Sequence, residues 1–156
     1  MKKIIFVCLG NICRSPMAEF IMKDLVKKAN LEEEFFISSA GTSGEHDGED
    51  MHKGTKNKLT NFGIEHKNFT SKKLTQKLCD ESDFLITMDK ANFKNVLKNF
   101  HNTQNKLIKI TDFSPTLNYD EVPDPWYSGN FDETYEILAL ACKNLLAFLM
   151  EKKDFV

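Results

Sequence analysis

Arginine is almost missing from this 156-residue chain: of its 21 basic residues, one is Arg14 and the rest are lysines. Lysine serves well as a solvated surface charge, whereas planar, bidentate recognition of an oxyanion calls for a guanidinium fork. The single arginine therefore marks its own position as chemical. Cysteine is also sparse. Residues 8, 13, 79 and 142 are too few for a disulfide framework and lack the paired spacing of a structural zinc site. Histidines 46, 52, 66 and 101 form no ligand-spaced group, so neither metal nor cofactor is expected. No apolar run approaches the ~20 residues of a membrane span. Met1-Lys2-Lys3 precedes only four or five apolar residues, too few for a signal-peptide core, and a cytoplasmic, reducing location is expected. A one-signed charge excess is missing too: the net charge is -2, which gives no electrostatic call for nucleic acid or a membrane surface. Repeats, low-complexity tracts and linkers are absent. Residues 1–156 read as one domain, with 41% hydrophobic residues to fill its core.

What is present is concentrated near the N-terminus. Ile4-Ile5-Phe6-Val7 reads as a buried strand, and Pro16-Met17-Ala18-Glu19-Phe20-Ile21 reads as the opening of a helix, with Ser15 at the cap and Pro16 at the first helical position. Between them lies Cys8-Leu9-Gly10-Asn11-Ile12-Cys13-Arg14-Ser15, a strand-to-helix loop. Gly10 lets such a loop curl tightly, so that successive N–H groups point inward as a nest for an oxyanion, and the helix beyond adds its positive end. A sulfur at Cys8, surrounded by those donors and by Arg14, is held as a thiolate at the floor of an anion pocket.

The remainder alternates helix and strand. The expected elements are helix 16–29, strand 35–39, helix 51–62 stopped by Gly63, an irregular stretch 64–73 and a helical turn at 74–79. Strand 83–88, helix 91–100, strand 106–110 and a long helix 131–152 follow. Strand, helix and strand in that order form a right-handed parallel unit, which binds ligands at the carboxyl ends of its strands, where the Cys8 loop already lies. The fold class expected is α/β, a four-stranded parallel sheet flanked by helices, of Rossmann-like or flavodoxin-like type.

Cys-Leu-Gly-Asn-Ile-Cys-Arg-Ser-Pro at residues 8–16 resembles the phosphate-binding loop of the low-molecular-weight protein tyrosine phosphatases, and the resemblance extends over nearly the whole chain. It implies the strand order 2-1-3-4, no cofactor, and phosphotyrosine-containing protein substrates. It also implies that Ser39 hydrogen-bonds Asn11 of the loop, and it places Met88-Asp89 at the end of the third strand. In many members an aromatic residue at about position 45 forms a wall of the cleft; here Glu45 stands there. The family often carries a histidine that supports the loop in the stretch 64–73. In this register Asn68 or Phe69 falls there, and His66 does not take the role.

Cleavage of a phosphate ester by a thiolate requires a proton for the leaving oxygen, donated from the side opposite the nucleophile. Asp124 in Asp124-Pro125-Trp126-Tyr127 is the candidate. Leu9, Trp126 and Tyr127 are the surfaces for the substrate ring, and the run matches the family's Asp-Pro-aromatic-Tyr motif. Arg14 and the amides of residues 9–14 are expected to hold the phosphoryl oxygens, Ser15 to donate to the sulfur, and Asn11 to fix the loop. Cys13 lies near enough in a curled loop to form a reversible disulfide that protects Cys8, while Cys79 and Cys142 read as core thiols. Thiol-dependent arsenate reductases of the same fold use a similar loop but relay electrons through two further cysteines, and here Met88 follows strand three with no such pair. Protein-arginine phosphatases carry threonine where Ile12 stands. A non-catalytic phosphopeptide-binding module is the remaining alternative, one that would have no use for both Cys8 and Asp124.

Overall fold

The computed structural model describes residues 1–154. Its centre is β1 (Lys2–Cys8), whose side chains alternate between two cores. Ile4, Phe6 and Cys8 enter one, and Ile5 and Val7 enter the other. A strand buried on both faces reads as an unbroken apolar run, which is why Ile4 to Val7 carries no polar alternation.

From β1 the chain passes into α1 (Arg14–Lys28) and returns as β2 (Phe35–Gly41), paired parallel to β1 from Lys2↔Phe35 to Cys8↔Gly41. Next come α2 (Lys53–Asn61), α3 (Gln76–Glu81), β3 (Phe84–Thr87), α4 (Lys90–Asn99) and β4 (Leu107–Lys109). The four strands are parallel and lie in the order β2-β1-β3-β4, as the resemblance implies. Two 3₁₀ turns (Ile110–Phe113 and Pro115–Leu117) lead to α5 (Pro125–Ser128) and the long α6 (Phe131–Asp154). Met17, Ala18 and Ile21 of α1 meet Leu138, Cys142 and Leu145 of α6 over the Phe6 face, while Leu74, Cys79 and Val96 cover the opposite face.

Several boundaries differ from the sequence expectation for local reasons. The first helix starts at Arg14 with Cys13 at its N-cap, and no side chain caps it; Ser15, expected there, turns to the Cys8 sulfur instead. β2 runs on through Ser39 to Gly41 because Gly41 also pairs with Lys73. The second helix is shorter than 51–62, since Met51 is buried and His52 caps the helix with its ring. β4 ends at Lys109 because Ile110 turns inward to open a 3₁₀ helix. A short helix not among the expected elements holds Pro125-Trp126-Tyr127: Asp124 caps α5, with Pro125 at its first position.

Candidate active site

The loop after β1 ends at the uncapped start of α1, whose first turn carries no acidic side chain. Its free N–H groups are therefore left for an external oxyanion. Asn11 sits in the left-handed region (φ 56°), which asparagine tolerates, and this bends the loop back on itself. Its side chain is fixed by what surrounds it. The Lys72 backbone N–H donates to Oδ1 at 2.9 Å, so Nδ2 faces the other way and donates to Ser15 Oγ (2.8 Å) and Ser39 Oγ (2.9 Å).

The proton directions follow. Ser39 donates its hydroxyl proton to the buried Glu19 carboxylate at 2.6 Å. Ser15 accepts from Asn11, which leaves its own proton for Cys8 Sγ, 3.0 Å away. The network thus sets Ser15 as a hydrogen-bond donor to the sulfur. Ser71 Oγ donates to the Asn11 carbonyl, the His52 N–H to that of Ile12, and Thr55 Oγ1 to that of Cys13, so three outside donors hold the loop's own carbonyls away from its centre.

Arg14, only 2% exposed, crosses the site. Its Nη1 donates to Asp89 Oδ2 (2.7 Å) and to the Val122 carbonyl (2.9 Å), while Nη2 reaches Asp124 Oδ2 at 3.4 Å. Burial works against its charge, but the Cys8 sulfur and the Asp89 and Asp124 carboxylates prevail and hold the guanidinium more firmly protonated than usual. Asp89 does double duty, since its other oxygen caps α4 by accepting from the Asn92 N–H at 2.7 Å. Asp124 Oδ1 accepts from the Trp126 N–H at 3.0 Å, which orients the carboxylate from its own helix. Burial, then the charges of Cys8 and Asp124, push the Cys13 thiol up to about 12.

These groups enclose a cavity of about 260 Å3, lined by Cys8, Leu9, Gly10, Ile12, Cys13, Arg14, Glu45, His46, Asp124, Trp126 and Tyr127. Leu9, Trp126 and Tyr127 are exposed at its rim. Asn11, Ser15 and Ser39 lie behind it as supports. Among the described residues no group of His, Cys, Asp or Glu is placed to hold a metal ion. His66 hydrogen-bonds Thr60 and the Ile64 carbonyl, not the phosphate loop. The stretch 64–73 supports the loop through Ser71 and Lys72, not through Asn68 or Phe69; Phe69 packs edge-on against Phe20.

Sequence reasoning missed Asp89 as the partner of Arg14, although Met88-Asp89 stood out at the carboxyl end of a parallel strand. It also missed Glu19, whose signal was a carboxylate on the apolar side of α1, and both imidazoles beside Trp126. His46 lines the cavity 2.7 Å from Glu49, next to the position where an aromatic residue was expected.

A parallel α/β sheet that presents a buried thiol at the floor of an oxyanion loop, a guanidinium beside it and a carboxylate across the cavity defines a class, the phosphatases that work through cysteine. The chain belongs to one family within that class: residues 3–154 match the low molecular weight phosphotyrosine protein phosphatase family. It is 37% identical over 156 residues to the low molecular weight protein-tyrosine-phosphatase YfkJ of Bacillus subtilis, covering 99% of each chain. The crystal structure of YfkJ superposes with a TM-score of 0.93 over 98% of this chain and 97% of that one. The solution structure of the low molecular weight protein tyrosine phosphatase from Campylobacter jejuni is 87% identical, with a TM-score of 0.78 over 96% of each chain.

Proposed function

We propose that this protein hydrolyses phosphotyrosine in cytoplasmic phosphoproteins, and small aryl phosphates, through a cysteinyl-phosphate intermediate without a metal. The observation that carries the proposal is that Cys8 and Asp124 line one cavity while Arg14 touches the Asp124 carboxylate. The Cys8 thiolate attacks phosphorus in line, forming the S–P bond as the P–O bond to the aryl group breaks. Arg14 and the amides of residues 9–14 hold the equatorial oxygens, and Asp124 protonates the departing phenol oxygen. Asp124, now a carboxylate, takes a proton from water as that water attacks phosphorus, and the sulfur leaves as thiolate with Ser15 donating to it. Leu9, Trp126 and Tyr127 flank the ring. When a peroxide oxidises Cys8 to its sulfenic acid, the Cys13 sulfur displaces the oxygen as water, giving a Cys8–Cys13 disulfide that external thiols reduce again. Cys79 and Cys142 are buried in the two cores, so an arsenate-reducing relay finds no cysteine beyond Cys13.

The test is nitrophenol release from p-nitrophenyl phosphate in excess EDTA beside a Cys8→Ser control. Turnover that needs Cys8 and ignores EDTA is expected. Turnover that persists in Cys8→Ser, or that EDTA removes, would refute the mechanism.

A further inference from the structure

Helix α2 is capped by an unusual residue. N-caps are normally Ser, Thr, Asp or Asn, but here His52 Nδ1 accepts from the Gly54 N–H at 2.9 Å. A backbone N–H can only donate, so Nδ1 is the ring's acceptor and its proton sits on Nε2. The cap fixes the ring's rotation, and the fixed ring lies between two others. Phe131 stacks on it (centroids 5.0 Å apart, 22° between planes), and Trp126 meets it edge to face (5.7 Å, 81°). His46 flanks Trp126 as well, at 5.9 Å.

Gly54 supports the same arrangement independently. A glycine inside a helix is unfavourable relative to alanine, yet a Cβ at Gly54 would lie 2.4 Å from Phe131 Cε2. The missing side chain is what lets Phe131 close onto His52.

We infer that His52 is a positioning residue: its ring sets the place of Trp126 and, through it, the aim of the Asp124 carboxylate over the phosphate loop. The inference rests on the phosphatase reading above. One residue touches both halves of the site. The His52 backbone N–H holds the Ile12 carbonyl of the loop at 2.8 Å, and its ring meets the Trp126 indole, whose own backbone N–H, in the first turn of α5, binds Asp124 Oδ1. Trp126 is 53% exposed, and His52 and His46 are the rings packed against its indole among the described residues.

Two properties of the ring are separable by substitution. His52→Asn keeps an acceptor for the Gly54 N–H and the backbone link but removes the ring, whereas His52→Phe keeps a ring and loses the cap. Trp126 is the only tryptophan in the chain, so its fluorescence reports on the contact without turnover. Misaim of Asp124 affects phosphotyrosine, whose phenol has a pKa of ~10, more than p-nitrophenyl phosphate, whose leaving group is far more acidic.

The expected result for His52→Asn is a kcat/KM for phosphotyrosine lower by roughly three- to tenfold, the scale of one aromatic contact. The loss on p-nitrophenyl phosphate is smaller, inhibition by inorganic phosphate is unchanged, and Trp126 emission shifts red with lower anisotropy. His52→Phe, which returns a ring without the cap that fixes its rotation, recovers part of the emission shift and of the substrate ratio. Equal losses on both substrates, or unaltered Trp126 emission in His52→Asn, would overturn the inference, as would recovery by the cap alone. Because emission needs no turnover, failure of the clamp and failure of the phosphatase reading are distinguishable. His52→Ser, a second ringless cap, gives the same comparison if His52→Asn does not fold.

Discussion

Arg14 shows how much one side chain is asked to do. It is tied to Asp89, Val122 and Asp124, three groups on segments that follow β3, so the phosphate loop and the acid-bearing segment share one buried cation. Asp124→Ala is expected to slow aryl phosphate hydrolysis by roughly 10²–10⁴-fold, the usual range for a lost general acid, and steady-state assay of the purified variant checks it. Arg14→Lys is expected to lose both phosphate affinity and rate, because an ammonium cannot reproduce the fork. Asp89→Asn separates the two jobs of that residue: asparagine still caps α4, but the charge beside Arg14 is gone. Inhibition by inorganic phosphate should weaken by roughly three- to tenfold with helix content unchanged. Thiol reactivity gives another residue-scale test. With burial holding Cys13 up to about 12 and Cys79 up to about 11, iodoacetamide at neutral pH should label Cys8 alone, and phosphate should protect it. Peptide mapping of the alkylated protein reads the outcome, and prior labelling of Cys13 would contradict it.

At the scale of elements, the site is a strand-to-helix loop braced from behind. Asn11→Ala removes the bonds to Ser15, Ser39 and Lys72 and places alanine at a positive φ, so the fold should lose about 2 kcal/mol. Urea unfolding measures that loss, and phosphate inhibition should weaken in parallel. What could be read from sequence here was what is contiguous: strand, glycine, cysteine and arginine lie within a few residues, and their geometry is local. The rest depends on long-range partners. Asp89 is 75 residues from Arg14, and Ser71 is 60 from Asn11, so no spacing announces either. Ser15 was expected both as a helix cap, by local rules, and as a donor to the sulfur; Cys13 takes the cap position, and the Ser15 hydroxyl lies 3.0 Å from the sulfur. No helix was expected between strand 106–110 and helix 131–152, because prolines usually mark loops, whereas Asp124-Pro125 makes an N-cap and first turn.

Across the whole molecule, the parallel sheet and its two-sided cover of helices could be anticipated because alternating strands and amphipathic helices admit few topologies, whereas the strand order came from the family resemblance. β1 is the axis of that arrangement: its carboxyl end delivers Cys8, while Phe6 and Ile4 anchor it against α1 and α6. Leu138→Ala, deep in that contact, should cost about 2–5 kcal/mol of stability while leaving KM unchanged in the folded protein. Thermal unfolding beside a kinetic assay tests both halves of that statement. The most direct test of the central claim is to quench the enzyme with acid during turnover of an aryl phosphate and to map its peptides by mass spectrometry. A phosphoryl group on Cys8, accumulating further when Asp124 can no longer activate water, is the result expected; phosphate on another residue, or none on Cys8 in an enzyme that is turning over, would contradict it.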